Sequence, residues 1–371
     1  MNKFKGLTWD HPRGYRPLQS WAAKDQAVDV EWHIQKLEGF ESHPINELAE
    51  SYDLLVVDNP GIGEAVEKQC LHPLEDFLTT KQIDFLRQSS VGASFDSYQY
   101  QGKHWAIPID AASQVCAVAG EAVINPPETW EAVQAYSRRH KNCVALSLGG
   151  PHALLTLYSI SQALGSEIFT DNNFIMSREI TIRAIDIMKN IFSNQQKKFV
   201  SLNPISLLDA MAQGDFDLCP AIFGYINYSN PNSGRAIHFV DIPYAKSSSL
   251  RGSVLGGTGL AISVHCTPTP ALINHIMGYV SDKTQTTLVV ENGGQPSNIH
   301  AWHDAQANKL KQHFFSNTFK TVSGAYVRPK YDGYIEFQDS SSELIREGLL
   351  NQMAASQIFD AIAENYSRHR P

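Results

Sequence analysis

Strand-like and helix-like patterns of apolar residues follow one another along this chain from its first residues. Residues 5–9, ending Leu7-Thr8-Trp9, predict a short strand, and Leu18, Trp21 and Ala22 then fall at helical spacing. Val28, Val30, Trp32 and Ile34 alternate with polar residues, the period-2 pattern of a strand with one buried face. Leu54-Leu55-Val56-Val57 is apolar without interruption and stops at Asp58-Asn59-Pro60-Gly61, as a buried parallel strand stops at its loop.

The same alternation continues downstream. A turn at Gly102 feeds an extended segment through Asp110, and Pro126-Pro127-Glu128-Thr129-Trp130-Glu131 opens a helix with Thr129 placed to cap its free amides. Residues 144–148 and 216–223 read as strands, and residues 152–164 and 177–192 as helices. The last thirty residues are expected to be helical. There Ser340 and Glu343 are spaced as a capping box, and Ile358, Phe359, Ile362 and Tyr366 form one apolar face. Strands alternating with helices define an α/β protein. At 371 residues the chain exceeds the usual reach of one hydrophobic core, so two domains are expected.

Charge and cysteine content narrow the partners. A net charge of −8 and a pI near 5.9 provide no broad basic field, which argues against nucleic acid or an anionic membrane surface as partner. No apolar run approaches the ~20 residues that span a bilayer, so no membrane insertion is expected. Met1-Asn2-Lys3-Phe4-Lys5-Gly6 leads straight into Leu7-Thr8-Trp9 without a leader pattern. The expectation is a cytoplasmic protein, or a periplasmic one from which a leader has been removed. Five cysteines, an odd number without a CxxC pair, read as separate thiols in a reducing compartment.

Four stretches, taken together and in order, are similar to one family. These are residues 102–115, residues 126–136 with Thr129-Trp130-Glu131, Leu208-Asp209-Ala210-Met211-Ala212-Gln213-Gly214-Asp215 through Phe223, and residues 255–298. The last contains Gly256-Gly257-Thr258-Gly259-Leu260-Ala261-Ile262 and Gly293-Gly294-Gln295-Pro296. The order resembles the extracellular solute-binding proteins of ABC importers, family 1, the carbohydrate-associated group that includes maltose-binding protein. The resemblance implies a type II periplasmic-binding-protein-like fold of two lobes that close on ligand like a Venus flytrap. It implies lobe one as residues 1–109 plus 260–309 and lobe two as 110–259 plus 310–371, with a hinge near 107–113, 255–260 and 310–326. It also implies carbohydrate as the ligand, an ABC transporter permease as partner, and a monomer. Members of the family are exported, whereas this chain shows no leader.

In open α/β sheets ligands collect beyond the carboxyl ends of strands. The first such loop, Trp9-Asp10-His11-Pro12-Arg13-Gly14-Tyr15, supplies a stacking face, a carboxylate, an imidazole and a guanidinium. A sugar needs an aromatic face and planar hydrogen-bonding groups, and a carboxylate or phosphate needs Arg, so the loop suits either ligand. The bland alternative is Trp9 in the core, Asp10 capping a helix and Arg13 in a salt bridge. Asp58 stands at the end of a buried strand, as ligand contact or turn residue. Asp110 either reaches ligand from the crossing segment or ties that segment together. Phe223, Tyr225 and Tyr228 offer aromatic rings after the strand at 216–223, and Gly257 and Thr258 offer backbone amides and freedom for a hinge.

Other chemistries find less support. The paired tyrosines suit ferric iron, but no carboxylate and imidazole cluster accompanies them, so no metal is expected. Gly256-Gly257-Thr258-Gly259 lacks the Lys-Ser or Lys-Thr of a P-loop, and no cofactor is expected. There is no G-x-S-x-G elbow and no H-E-x-x-H, so the chain is expected not to be an enzyme. Two further readings stand beside sugar capture: a cytoplasmic sensor or carrier of an anionic carboxylate metabolite, and an enzyme on the same scaffold.

Overall fold

The computed structural model describes residues 3–36, 45–170, 173–174, 176–230 and 234–369. The chain divides into two compact units, both discontinuous: residues 1–112 with 255–311, and residues 113–254 with 312–371. The chain passes from one to the other three times. The first passage lies within the continuous strand Ile107–Val118, and the third is followed by two residues in the left-handed backbone region, Gln312 (φ 51°) and His313 (φ 60°).

In the first unit, strand β1 (Lys3–Trp9) leads into helix α1 (Pro12–Lys24), and β2 (Asp29–Gln35) and β3 (Leu54–Val57) follow. β1 lies between β2 and β3, parallel to both, with Trp9 opposite Gln35 and Leu7 opposite Leu55. β4 is the strand Ile107–Val118, shared between the units. Leu255–Ile262, which follows β5 and β6 of the second unit and is numbered β7, runs antiparallel to β3 and has the start of β4 on its other side. Leu54, Leu55, Val56 and Val57 are all buried, which is why an unbroken apolar run suits this position. Each such Leu side chain withdrawn from water contributes about 1.5–3 kcal/mol.

In the second unit the later part of β4 lies between β5 (Leu218–Phe223) and β6 (His238–Val240), antiparallel to each. Helix α2 (Trp130–Arg139) starts where the sequence predicts, with Thr129 Oγ1 accepting from the Ala132 amide at 3.1 Å. Helix α3 (His152–Ala163) is buried on nearly every face, so it must be apolar almost all round. Two of its hydroxyls are met by neighbours: Thr156 donates to the Ser147 carbonyl at 2.9 Å and Ser159 to Gln114 Oε1 at 2.6 Å. Further helices are α4 (Arg178–Phe192), α5 (Pro204–Ala212), α6 (Pro270–Tyr279, in the first unit), α7 (Phe314–Ser323), α8 (Tyr334–Leu350) and α9 (Ala355–His369). Ile358, Phe359, Ile362 and Tyr366 form the buried face of α9.

Two local expectations fail for identifiable reasons. Residues 144–148 form only one bridge, Val144 to Leu218, because the Leu146 amide is taken by the Gln195 side chain at 2.8 Å instead of a ladder partner. Ser340 does not begin a helix. It lies within α8, where its hydroxyl donates to the Glu336 carbonyl at 2.6 Å, the internal bond that competes with capping for every serine.

Candidate ligand-binding site

The first loop is an organised helix start. His11 is the N-cap of α1, its Nδ1 accepting from the Arg13 amide at 3.1 Å. Its ring stacks on Trp9 with centroids 5.3 Å apart, and the Arg13 guanidinium lies 5.8 Å from the Trp9 ring centre. Trp9, His11 and Arg13 are 3%, 7% and 5% exposed, so they are interior groups rather than an open binding face. Asp10 is exposed and Tyr15 half-buried. Asp10 does not cap α1; its amide donates to the Gln35 carbonyl at 2.8 Å.

Arg13 and Asp110, 97 residues apart, form a buried two-pronged ion pair: Nε donates to Oδ2 at 2.8 Å, and the second nitrogen to Oδ1. Both groups therefore serve the crossing segment, and the guanidinium fork on which the anionic-ligand reading relied already holds a carboxylate. The same segment is tied by Gln295, whose carbonyl accepts from the Ala111 amide and whose Nε2 donates to the Ala111 carbonyl, both at 3.1 Å. Ser297 adds a bond to the Pro108 carbonyl at 2.7 Å. Gly257 has φ +101°, and a Cβ there would stand 2.4 Å from the Asp110 carbonyl oxygen. The glycine serves close approach of two backbones, and the neighbouring Thr258 is buried. Asp58 is half-buried and caps a single turn, accepting from the Asn59 amide at 2.8 Å. Sequence reasoning passed over Asn59, which is fully buried with an amide oxygen that accepts no hydrogen bond among the described residues.

Burial, then the nearby Arg13 and Arg16, holds the His11 imidazole neutral with a pKa of about 3 against an ordinary 6.5. Below pH 6.5 the unfolded chain binds a proton that the folded chain refuses, so this stability is complete above 6.5 and lost as pH falls toward 3. His11→Asn keeps a capping oxygen and removes the titration. Urea midpoints measured from pH 7 to pH 4 are expected to fall less steeply in this variant than in the parent.

In the second unit Phe223 ends β5, half-buried, and meets the ring of His152 edge-on at 5.6 Å. Tyr225 is 8% exposed, and Tyr228 is half-buried with its hydroxyl donating to Asp209 Oδ1 at 2.6 Å. Burial and the Asp209 carboxylate push the Tyr228 phenol well above its usual range. His152 itself was not foreseen, because a single histidine opening an apolar helix looks like core. Among the described residues no group of three or more His, Cys, Asp and Glu could hold a metal ion, and no helix is long and apolar enough to cross a membrane. All five cysteines are unbridged thiols.

The chain matches no protein-family model and no curated protein sequence. Solved structures match along nearly its whole length. Maltose-bound MalE3 of T. maritima is 13% identical, with a TM-score of 0.81 and 99% of both chains covered. An ABC transporter solute-binding protein from Agrobacterium radiobacter K84 in complex with ribitol is 17% identical, with a TM-score of 0.80 over 99% of this chain and 98% of that one. Another, from Thermotoga lettingae TMO and bound with alpha-D-tagatose, is 16% identical, with a TM-score of 0.79 and 99% of each chain covered. Identity this low carries the path of the backbone and not the identity of side chains. The chain has the two-lobed periplasmic-binding-protein fold that these ABC solute-binding proteins share.

Proposed function

We propose that the protein captures a small polar solute, a carbohydrate in the first instance, for an ABC importer, its two units acting as lobes that close on the ligand. The observation that supports this most is the full-length fold match to proteins in complex with maltose, ribitol and tagatose. On this reading Asp10, Tyr15 and Asp58 present polar groups from the first unit, and Phe223 presents a ring from the second. Trp9, Arg13 and Asp110 hold the loop after β1 against the crossing segment. Ligand contacts made only in the closed arrangement would shift the population toward it, so a few kcal/mol of differential binding suffices. The protein acts stoichiometrically and is not an enzyme.

Calorimetric titration with maltose, D-tagatose and ribitol is expected to show one site per chain, and X-ray scattering a smaller radius of gyration with the bound ligand. Phe223→Ala is expected to weaken binding roughly threefold to tenfold, the worth of one aromatic contact. If none of these solutes binds, sugar capture is wrong; if product accumulates, the protein is an enzyme on this scaffold. Cell fractionation separates importer component from cytoplasmic carrier.

A further inference from the structure

In the second unit, α2 and the segment before it line a surface pocket of about 560 Å³, a volume in the range of small-molecule sites. Ala132, Tyr136 and His140 are spaced four apart, so α2 and the residue that caps its end turn one face to the pocket. The Tyr136 and His140 rings stack, with centroids 4.3 Å apart. The preceding segment contributes Pro126 and Ile124. Ile124 is 87% exposed, the highest value for a large apolar side chain among the described residues. A single exposed apolar residue is ordinary on a surface, but this one lines a concave site beside two stacked rings.

Glu121 and Glu128 also line the pocket, both exposed, and neither carboxylate forms an ion pair among the described residues. The opposing charge in the lining is Arg139, whose Nε donates to the Ala135 carbonyl of its own helix at 3.5 Å. Asp217, near the Tyr136 hydroxyl, is already paired with Arg235 at 2.7 Å. Two carboxylates against one guanidinium leave the pocket negative. The Tyr136 hydroxyl is buried with no hydrogen-bond partner among the described residues. Burial, with Asp217, Cys143 and Glu121 nearby, pushes that phenol up to about 12, so it stays neutral and adds no charge of its own.

We propose that this pocket binds a small organic cation, an ammonium or guanidinium group on an apolar stem, its charge met by Glu121 and Glu128 and its stem by Ile124 and the Tyr136–His140 pair. An aromatic wall attracts a cation through its electron-rich face, and a stem laid against Ile124 removes apolar surface from water. Asp217 precedes β5 and Phe223 ends it, six residues or about 20 Å along the strand. The cation site and the ring proposed for sugar therefore stand at opposite ends of β5, and cation binding does not depend on sugar capture.

Calorimetric titration of the full chain with phenethylammonium, its uncharged analogue 2-phenylethanol and its anionic analogue 3-phenylpropanoate tests this. At about pH 8 an ordinary imidazole is neutral and an alkyl ammonium keeps its proton. The cation is expected to bind about tenfold tighter than either analogue, the combined effect of two exposed carboxylates and an aromatic wall. In the double variant Glu121→Gln, Glu128→Gln that ratio is expected to fall toward one. The double variant Glu336→Gln, Glu347→Gln changes two exposed glutamates on α8, alters net charge equally and is expected to keep the ratio. Circular dichroism confirms that both are folded. Equal binding of the three probes by the parent, or binding of none, overturns the proposal without need of a variant. A cation preference that survives in the first variant, or is lost as fully in the second, also overturns it, since either result would mean general attraction to an acidic protein.

Discussion

Arg13→Ala is expected to destabilise the first unit by about 3–5 kcal/mol, the usual consequence of leaving one member of a buried ion pair without its partner. The Asp110 carboxylate, 7% exposed, would lose the guanidinium that meets both its oxygens. Arg13→Lys should recover only part of the loss, because an ammonium cannot supply the planar fork that meets both carboxylate oxygens. Arg13→Met combined with Asp110→Leu should be far less damaging than either single change, since the desolvation of both charges is removed along with their attraction. Urea unfolding of Arg13→Ala, Arg13→Lys, the double variant and its two single components tests this. A wild-type midpoint for Arg13→Ala would mean that the pair contributes nothing, and a double variant as weak as the singles would mean that packing, not charge, is what the site needs.

Gly257→Ala is expected to cost roughly 2–4 kcal/mol, combining an unfavourable backbone region for an L residue with a contact that neither backbone can relieve. The new Cβ would lie 2.4 Å from the Asp110 carbonyl oxygen and 2.8 Å from the Ala111 Cα. Gly102→Ala provides the comparison, since Gly102 also has a positive φ, +77°, but nothing within 4 Å of its added Cβ. The difference in unfolding free energy between the two variants isolates the clash from the dihedral cost. Equal losses would show that β7 and β4 separate easily, and Gly257 would then lose its role as the point where the two backbones are held together.

Where local pattern suffices, the fold was legible in the sequence. Leu54–Val57 was found because an apolar run bounded by Asp58-Asn59-Pro60-Gly61 admits few other readings, and the start of α2 because Thr129 precedes the first apolar turn. The loop after β1 is dense in polar and aromatic groups, but the partner of Arg13 lies 97 residues away, and no spacing rule reaches that far. Without that partner the guanidinium looked available to ligand. The strand expected at 144–148 failed for a related reason: a glutamine side chain 49 residues from Leu146 satisfied the backbone. His152 was overlooked because the ring it meets edge-on, Phe223, is remote from it in sequence.

The position of β7 sets the order in which the molecule can be completed. β7 covers β3 on the side away from β1, yet it is synthesised only after the 142 residues from 113 to 254. Until then a nascent first unit exposes the open edge of a fully apolar strand, the kind of edge that recruits other chains. The second unit, which also needs residues from 312 onward, cannot shield it by finishing first. Both halves therefore mature only near the end of translation, and any fragment ending before residue 255 is a candidate for aggregation rather than an independently useful domain.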